Sequence, residues 1–345
     1  MAFKRSPVRS VGRGGEGFSR LPDQRVAVRE LDGSEGGGQL VRTALACSAL
    51  TGEPFRMTGV RGERPNPGFR PQHLAAVEAV AAVCDAEVAG AEGGSQELTF
   101  EPDAPRGGEY EATVGTAGSV PLVFEAVLPL GYALAEPLSL RATGGTDVKW
   151  APTADHQRVV KLPLVGRAGL GAGTTVERRG FYPVGGGAAT LSLSPSDPRR
   201  LELADRGALR SVRVASVASR SLEDAEVAER QAEAAVEALD VSVPVDSAVE
   251  YAESDSPGSA VLVRAAYEDS LAGFDALGER GRPAEAVGEA AAAAFARFQA
   301  GTAAVDEHTA DQLLLPLAVA GGEVTIPRVT EHVETNAGLI RAFGG

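Results

Sequence analysis

The amino-acid sequence predicts an internally repeated α/β fold that carries a small inserted α/β domain. Short strand-like runs alternate with Ala-rich, helix-like runs, and a glycine-rich loop recurs in each unit. Between 190 and 282 the chain becomes richer in charge and contains no histidine. At 345 residues, of which 43% are hydrophobic, the chain is long enough for one large domain and a smaller one.

The chain is predicted to have three parts. Basic residues among Gly and Ser at the N-terminus are typical of a disordered arm. The predicted division is a basic arm over 1–25, a main domain over 26–189 and 283–345, and the inserted domain over 190–282.

The first unit is organised around a glycine-rich loop, 32–39, that joins a strand to a helix. Backbone N–H groups and the helix dipole converge at such a junction, which makes it a candidate phosphate cradle. The loop lacks the lysine–serine pair of the P-loop and the glycine spacing of the dinucleotide fingerprint. The elements predicted for this unit are a strand over 25–31, a helix over 40–50, a strand over 55–59 and a helix over 74–84.

Glu35 is the unusual residue of this loop. A carboxylate there would repel phosphate unless a divalent cation lay between them, so contact with a metal is one interpretation. A solvent-facing glutamate in a tight turn is the other. The residues alone leave both interpretations open.

Arginines are concentrated in the loop before the second helix. Arg61, Arg64 and Arg70 are spaced through a Pro/Gly segment that cannot be helical, and their guanidinium groups suit a polyphosphate or an RNA 3' end. His73, at the start of the helix, is predicted to cap it or to pack rather than to bind an anion.

The second unit repeats the first, with glycine-rich segments at 115–119 and 144–147. Its predicted elements are strands over 96–100, 110–114 and 138–142 and helices over 120–130 and 154–164. The inserted domain is predicted to contain strands over 190–193, 212–218, 241–251 and 260–267 and a helix over 222–239. A helix over 284–301 is predicted to return the chain to the main domain.

Composition limits which cellular compartment and which binding partners are compatible with the chain. The net charge of -14, with only three lysines among the basic residues, indicates adaptation to high salt, so acidity by itself does not exclude an RNA partner. Cys47 and Cys84 lie in helix-like runs and are predicted to be buried free thiols. No apolar run is long enough to span a membrane, and no signal core is present, so a cytoplasmic protein is predicted.

The last quarter of the chain holds two of the four histidines, His308 and His332. A helix over 307–319, a turn at Gly321-Gly322 and a strand over 323–326 are predicted to bring them to the edges of one packed unit. Imidazole acts as a nucleophile or base near pH 7, or donates to phosphate or purine. A helix cap or a surface histidine is the structural alternative.

Seven segments together resemble the RNA 3'-terminal phosphate cyclase family, in that family's order. Members are built from repeated βαβαββ units, a fold shared with the enolpyruvyl transferases, and carry a small inserted domain. The segments are 32–42, 61–73, 115–119, 144–147, 180–187, 308–316 and 332–336.

The resemblance implies a three-step reaction. A histidine attacks the α-phosphorus of ATP and releases pyrophosphate, AMP passes to the RNA 3'-phosphate, and the neighbouring 2'-hydroxyl closes a 2',3'-cyclic phosphate. His332 occupies the position of the nucleophile. The implied partners are ATP, Mg²⁺ or Mn²⁺, and RNA with a 3'-terminal phosphate.

The resemblance also assigns the other site residues. Glu35 matches the metal-contacting carboxylate, and Glu125 stands where relatives often have a nucleotide-contacting glutamine, so it could accept but not donate a hydrogen bond. The residues implied to hold phosphate or RNA are Arg42, Arg61, Arg64 and Gln72, and those implied to border adenosine are His308, Thr309, Ala310, Asp311 and Gln312.

Two other functions fit parts of the pattern. Cyclase-like ribosome-biogenesis factors share the fold but lack the nucleophilic histidine, so His332 favours the enzyme. Enolpyruvyl transferases use lysine and carboxylates, and the scarcity of lysine argues against them.

Overall fold

The computed structural model describes residues 28–344, so the predicted basic arm lies outside the described residues. Its first sheet has the strand order β1-β2-β4-β3, in which β1 is parallel to β2 and both later strands run antiparallel to their neighbours. The elements are β1 (Arg29–Asp32), α1 (Gly38–Thr51), β2 (Phe55–Thr58), α2 (Pro71–Cys84), β3 (Glu87–Ala89) and β4 (Leu98–Glu101).

A second sheet has the same topology, with the order β5-β6-β8-β7 and again one parallel pair followed by two antiparallel pairs. The predicted internal repeat of the α/β fold is therefore confirmed, and each unit has the order βαβαββ. The strand predicted over 96–100 for the second unit belongs instead to the first, since β4 pairs with β2 and β3. The elements are β5 (Gly108–Thr113), α3 (Val120–Val127), β6 (Leu138–Gly144), α4 (Ala154–His156), α5 (Leu162–Arg167), β7 (Ala172–Arg178) and β8 (Gly187–Leu193).

The helical segment after β6 differs from the single helix predicted over 154–164. A π-helical turn, Gln157–Lys161, separates α4 from α5. Such turns insert one residue into the helix and are frequent at functional sites. Lys161, at the end of this turn, becomes a buried residue.

A third sheet has the order β11-β10-β12-β13 and a core of its own. The helices α6 and α7 pack against each other and against this sheet. The single helix predicted over 222–239 is interrupted by Glu226, which adopts a left-handed conformation between a 3-10 turn and α6. The elements of this sheet and of the helices packed on it are β10 (Leu209–Ser219), α6 (Val227–Glu237), β11 (Val245–Ala252), β12 (Ser259–Tyr267), β13 (Leu271–Leu277) and α7 (Ala284–Gln299). The short strand β9 (Leu201–Leu203) precedes them and lies outside this sheet.

Two elements pair or pack differently from what the predicted domain boundaries at 190 and 283 imply. The strand β8 pairs along its whole length with β6 and β7, and its Leu191 and Leu193 lie in the core of the first two units. The helix α7 places Val287, Ala291 and Phe295 in the core of the third sheet. The division of the chain into a main and an inserted domain stays a prediction.

The C-terminal segment consists of α8 (Glu307–Gln312), α9 (Leu314–Ala320), β14 (Gly322–Val324) and α10 (Glu331–Ala342). The helix predicted over 307–319 is two helices, because Pro316 would clash with the Gln312 carbonyl in a continuous helix. The strand β14 pairs in parallel with β9. The helix α10 packs on α1, where Thr43 Oγ1 donates to Asn336 Oδ1 at 3.0 Å.

The predicted free thiols are confirmed. Cys47 and Cys84 are buried and unbridged, and burial raises the pKa of each to about 12. None of the helices within residues 28–344 has the length and apolar character that a membrane span requires.

Candidate active site

His332 is positioned by the first turn of α10. Thr330 caps this helix, since its Oγ1 accepts a hydrogen bond from Val333 N at 3.2 Å. Packing of α10 on α1 then brings this turn to the arginine-rich loop, where Arg64 Nη2 donates to Glu331 Oε1 at 3.2 Å. The residue next to His332 is thus tied to a segment 267 positions earlier in the chain.

The imidazole of His332 is half exposed and faces a carboxylate. Its Nδ1 lies 3.7 Å from Asp311 Oδ2, and 51% of the side chain is exposed against 18% for Asp311. This distance is that of an ion pair and is longer than a direct hydrogen bond. Asp311 raises the pKa of His332 above its ordinary value, against the opposing effects of partial burial and of Arg64. A proton on Nδ1 is favoured by Asp311, which leaves Nε2 as the free nitrogen.

His332 lies in an open cleft of about 920 Å³ that is lined by the C-terminal segment, by the first two units and by residues 275–282 of β13 and the loop after it. Five other predicted site residues line the same cleft, and four of these also line a narrower pocket beside it. The five are Arg42, Glu125, His308, Asp311 and Gln312, and all but His308 reach the narrower pocket.

Glu125 is held between two cations at the base of the cleft. It lies 3.0 Å from Lys161 Nζ and 3.2 Å from Arg42 Nε, and the second contact is close without being a well-oriented hydrogen bond. Burial opposes ionisation of Glu125, but the charges of Lys161 and Arg42 prevail and lower its pKa. The carboxylate is therefore ionised, and its oxygens are already engaged.

The glycine-rich loop ends at the start of α1, and its geometry depends on small residues. Gly37 caps the helix without any side-chain acceptor. A Cβ on Gly38 would lie 2.2 Å from His73 Nε2 and 3.3 Å from Arg42 Nη1, and one on Gly37 would lie 3.7 Å from Arg64 Nη2. The first N–H groups of a 14-residue helix thus lie among two arginines, an arrangement suited to phosphate.

His73 performs the capping and packing role predicted for it. It is 4% exposed, and its Nδ1 accepts a hydrogen bond from Arg70 N at 3.1 Å. Burial, followed by the charges of Arg42, Arg61 and Arg70, lowers the pKa of His73 to about 3. This imidazole is neutral near pH 7 and fills the space behind Gly38.

Two residues assigned to phosphate or RNA have structural partners. Arg61 Nη1 donates to the carbonyls of Asn66 and Gly68 at 2.9 and 2.7 Å, which folds its own loop. Gln72 Oε1 accepts from Ser119 N at 3.3 Å and so ties the first unit to the glycine-rich loop of the second.

Within the block assigned to adenosine, the five residues point in different directions. Thr309 and Ala310 are buried, and Thr309 Oγ1 donates to Asp306 Oδ2 at 2.8 Å, so this face of α8 packs inward. His308, Asp311 and Gln312 line the cleft.

Glu35 is exposed in its loop. Across residues 28–344 no group of three His, Cys, Asp or Glu side chains is arranged to hold a metal ion. A cation at Glu35 would therefore take most of its ligands from water and substrate phosphates, which is common for Mg²⁺.

Comparison with known proteins decides the family. Residues 33–345 match a family model described as RNA 3'-terminal phosphate cyclase. The chain belongs to this family. Relatives named RNA 3'-terminal phosphate cyclase include one from Halobacterium salinarum, 52% identical over 91% of this chain and 94% of the relative. Others come from Methanopyrus kandleri, 44% identical over 92% and 94%, and Pyrococcus furiosus, 40% identical over 91% and 93%.

Among the solved structures that align is that of the enolpyruvyl transferase NikO from Streptomyces tendae. The TM-score is 0.27 at 18% identity over 47% of this chain and 31% of that one. This likeness is too weak to support any conclusion.

Lys161 is a residue of the narrower pocket that the sequence analysis missed. Its side chain is 3% exposed and pairs with Glu125, one of the assigned residues. A signal for it was present, since one of only three lysines stands between Val160 and Leu162 in an apolar segment. A lysine in such surroundings requires a buried anionic partner.

Proposed function

We propose that this protein converts the 3'-terminal phosphate of RNA into a 2',3'-cyclic phosphate in an ATP-dependent reaction that passes through a covalent His332–AMP intermediate. One observation carries the proposal, namely the half-exposed imidazole of His332, which lies in the cleft 3.7 Å from Asp311. Membership of the cyclase family supports RNA and ATP as the substrates.

In the first step, Nε2 of neutral His332 attacks the α-phosphorus of ATP. An N–P bond forms, and the P–O bond to pyrophosphate breaks. Asp311 stabilises the positive charge that the ring acquires and keeps the proton on Nδ1. Imidazole suits this step because its phosphoramidate is readily broken again.

The start of α1 is the proposed position of the triphosphate. Its uncapped N–H groups, together with Arg42 and Arg64, offer donors and positive charge to phosphate oxygens. Glu35 is proposed to hold Mg²⁺ or Mn²⁺ jointly with these oxygens, and such a cation supplies charge neutralisation for the departing pyrophosphate.

The narrower pocket is the proposed site of the adenosine. In the described chain, Gln39 Nε2 and Gln312 Oε1 are buried there without a hydrogen-bond partner. Buried polar atoms without partners are costly, so a free donor and a free acceptor in one pocket favour a polar ligand. An adenine edge offers both complements.

The second and third steps use the same cleft. An oxygen of the RNA 3'-phosphate attacks the phosphorus of the His332 adduct, the N–P bond breaks, and an RNA–adenylate forms. The vicinal 2'-oxygen then attacks the terminal RNA phosphorus, and AMP leaves as the ring closes. Cytoplasmic location belongs to the same proposal and is supported by the two free thiols.

The proposal is tested with an oligoribonucleotide that carries a labelled 3'-phosphate. With ATP, a divalent cation and high salt, we expect the label to become resistant to phosphatase as the cyclic product forms. The matched controls are omission of ATP and the His332→Asn variant, both of which should leave the phosphate sensitive. Absence of ATP-dependent product from folded wild-type protein would contradict the proposal.

A further inference from the structure

Trp150 is the least explained residue at the rim of the cleft. It is the only tryptophan in the chain, and 95% of its surface is exposed. Its backbone adopts a φ of +61°, a left-handed conformation that a bulky side chain disfavours. An exposed indole on a strained backbone is unfavourable in both respects, and such positions cluster at functional sites.

The loop around Trp150 is anchored on both sides. Lys149 Nζ lies 2.9 Å from Glu279 Oε1, and Thr153 N donates to Asp275 Oδ2 at 2.9 Å. Ala154 N donates to Thr146 O at 3.0 Å, which closes the base of the loop. The indole is therefore presented to solvent by a fixed backbone.

The loop borders the cavity that contains His332. Residues 149–152 and His332 line the same space of about 920 Å³. The narrower pocket proposed for adenosine is lined by other residues and does not include Trp150. The indole thus lies where the second substrate must enter, apart from the pocket for the nucleotide.

The chemistry of the rim suits a nucleobase. Aromatic side chains bind single-stranded RNA by stacking on unpaired bases, with little dependence on base identity. Arg282 lines the same cavity, but its guanidinium group already donates to the carbonyls of Leu277 and Ala286, so the indole is the side chain of this rim suited to a base. Stacking also needs no ionic attraction, which is weak in a protein of net charge -14 and is screened at high salt.

We infer that Trp150 is a stacking platform for an unpaired base at or next to the 3' end of the RNA substrate. The inference rests on the proposed function and extends it by naming a residue that binds the RNA chain rather than its terminal phosphate. It predicts a broad tolerance of terminal bases, because every base offers a planar face.

Because Trp150 is the sole tryptophan, fluorescence excited at wavelengths that tyrosine does not absorb reports on this position alone. The probe is a short oligoribonucleotide with a 3'-phosphate, titrated into the wild-type protein without a divalent cation. We expect the emission to be quenched by this RNA, and quenched less when the terminal or the penultimate nucleotide is abasic. ATP alone should change the emission little.

Kinetics supply the second measurement. Trp150→Ala should raise KM for RNA by about 5- to 150-fold, while the rate of protein adenylylation by ATP stays unchanged. Trp150→Phe should retain most of the affinity. Tyr182→Ala is the matched control, because Tyr182 is 73% exposed yet does not line this cavity, and KM should not change.

The outcomes separate the inference from the proposed function. Wild-type protein that cyclises RNA without quenching, and a Trp150→Ala variant with normal KM, would overturn the inference alone. Quenching by ATP with slow adenylylation in Trp150→Ala would assign the indole to the nucleotide and also overturn it. Quenching by RNA without any cyclisation would support the inference and contradict the proposed function.

Discussion

Two histidine–aspartate pairs in this protein have nearly the same separation, through Nδ1 of His332 and Nε2 of His156, and opposite surroundings. His332 and Asp311 are 3.7 Å apart in an open cleft, whereas His156 and Asp306 are 3.5 Å apart with 0% and 3% of their side chains exposed. Both carboxylates belong to one short segment, since Asp306 caps α8 and Asp311 lies in its last turn. Both histidines lie in the first turn of a helix capped by threonine.

In the buried pair, the carboxylate of Asp306 has no capacity left to accept from a ligand. Asp306 accepts hydrogen bonds from Thr309 N, Thr309 Oγ1 and Gly273 N at 2.8, 2.8 and 3.1 Å. Burial alone would raise the pKa of Asp306, but His156 and these donors lower it to about 2. Through Gly273 the carboxylate ties α8 to the sheet of β10 to β13.

The comparison shows that surroundings, rather than the pair itself, decide between structure and chemistry. Asp306 is saturated with donors, and His156 is enclosed, so the pair holds three elements together. Asp311 is only partly buried, and His332 is accessible, so the same charge relation is available for a reaction. Burial also opposes ionisation of His156, and Asp306 overcomes it to raise that pKa.

The largest difference between the two pairs is expected in the rate at which the protein is adenylylated. His332→Ala removes the attacking nitrogen, and we expect a loss of at least about 10⁴-fold in the formation of labelled protein from ATP. Thermal stability should be unchanged, because the side chain is half exposed. Retention of the label in this variant would assign the nucleophile to another residue.

The free energy of unfolding should depend on the buried pair and not on the exposed one. His156→Ala leaves the Asp306 charge buried without its counter-ion, and we expect a loss of about 3–5 kcal/mol in the free energy of unfolding. Chemical denaturation of this variant beside His332→Ala provides the matched comparison. Equal, small losses in both variants would show that burial does not separate the two pairs.

The pH dependence of stability should identify Asp306. Its pKa falls from the ordinary 3.8 to about 2 in the folded protein, so its contribution is present above pH 3.8 and is lost as the pH falls toward 2. The difference corresponds to about 2 kcal/mol. Asp306→Asn should lack this part of the acid transition in denaturation measured from pH 5 to 2. An unchanged transition would contradict the assignment.

The smallest effect is expected for Asp311→Asn. Asp311 raises the pKa of His332, and the attacking imidazole must be neutral, so the wild-type rate falls as the pH drops through that raised pKa. Removal of the charge should move this acidic limb to lower pH. The pH profile of adenylylation measures the shift, and a limb that moves to higher pH would reverse the proposed role of Asp311.

Sequence reasoning recovered what depends on local pattern. The glycine-rich loop, the alternation of strands and helices and the capping role of His73 follow from spacing and residue type. The edge strands β3 and β7 were missed, because both have mostly exposed faces with little apolar alternation.

Relations between distant segments could not be obtained in this way. His156 and Asp306 are 150 positions apart, and nothing in their local sequence indicates that they pair. The family resemblance supplied His332, but only the packing of α10 on α1 shows that it shares a cleft with Arg42, Glu125 and Asp311. The pairing of Glu125 with Lys161 likewise depends on the π-helical turn, which the spacing did not reveal.

The central claim is that His332, and not the other histidine of the cleft or the buried pair, carries the nucleotide. Wild-type protein can be incubated with ATP and a divalent cation at high salt, digested under alkaline conditions that preserve the phosphoramidate, and sequenced by tandem mass spectrometry. The account predicts one AMP, attached to His332. An adduct on His308 or on any other side chain, or none on folded protein, would contradict it.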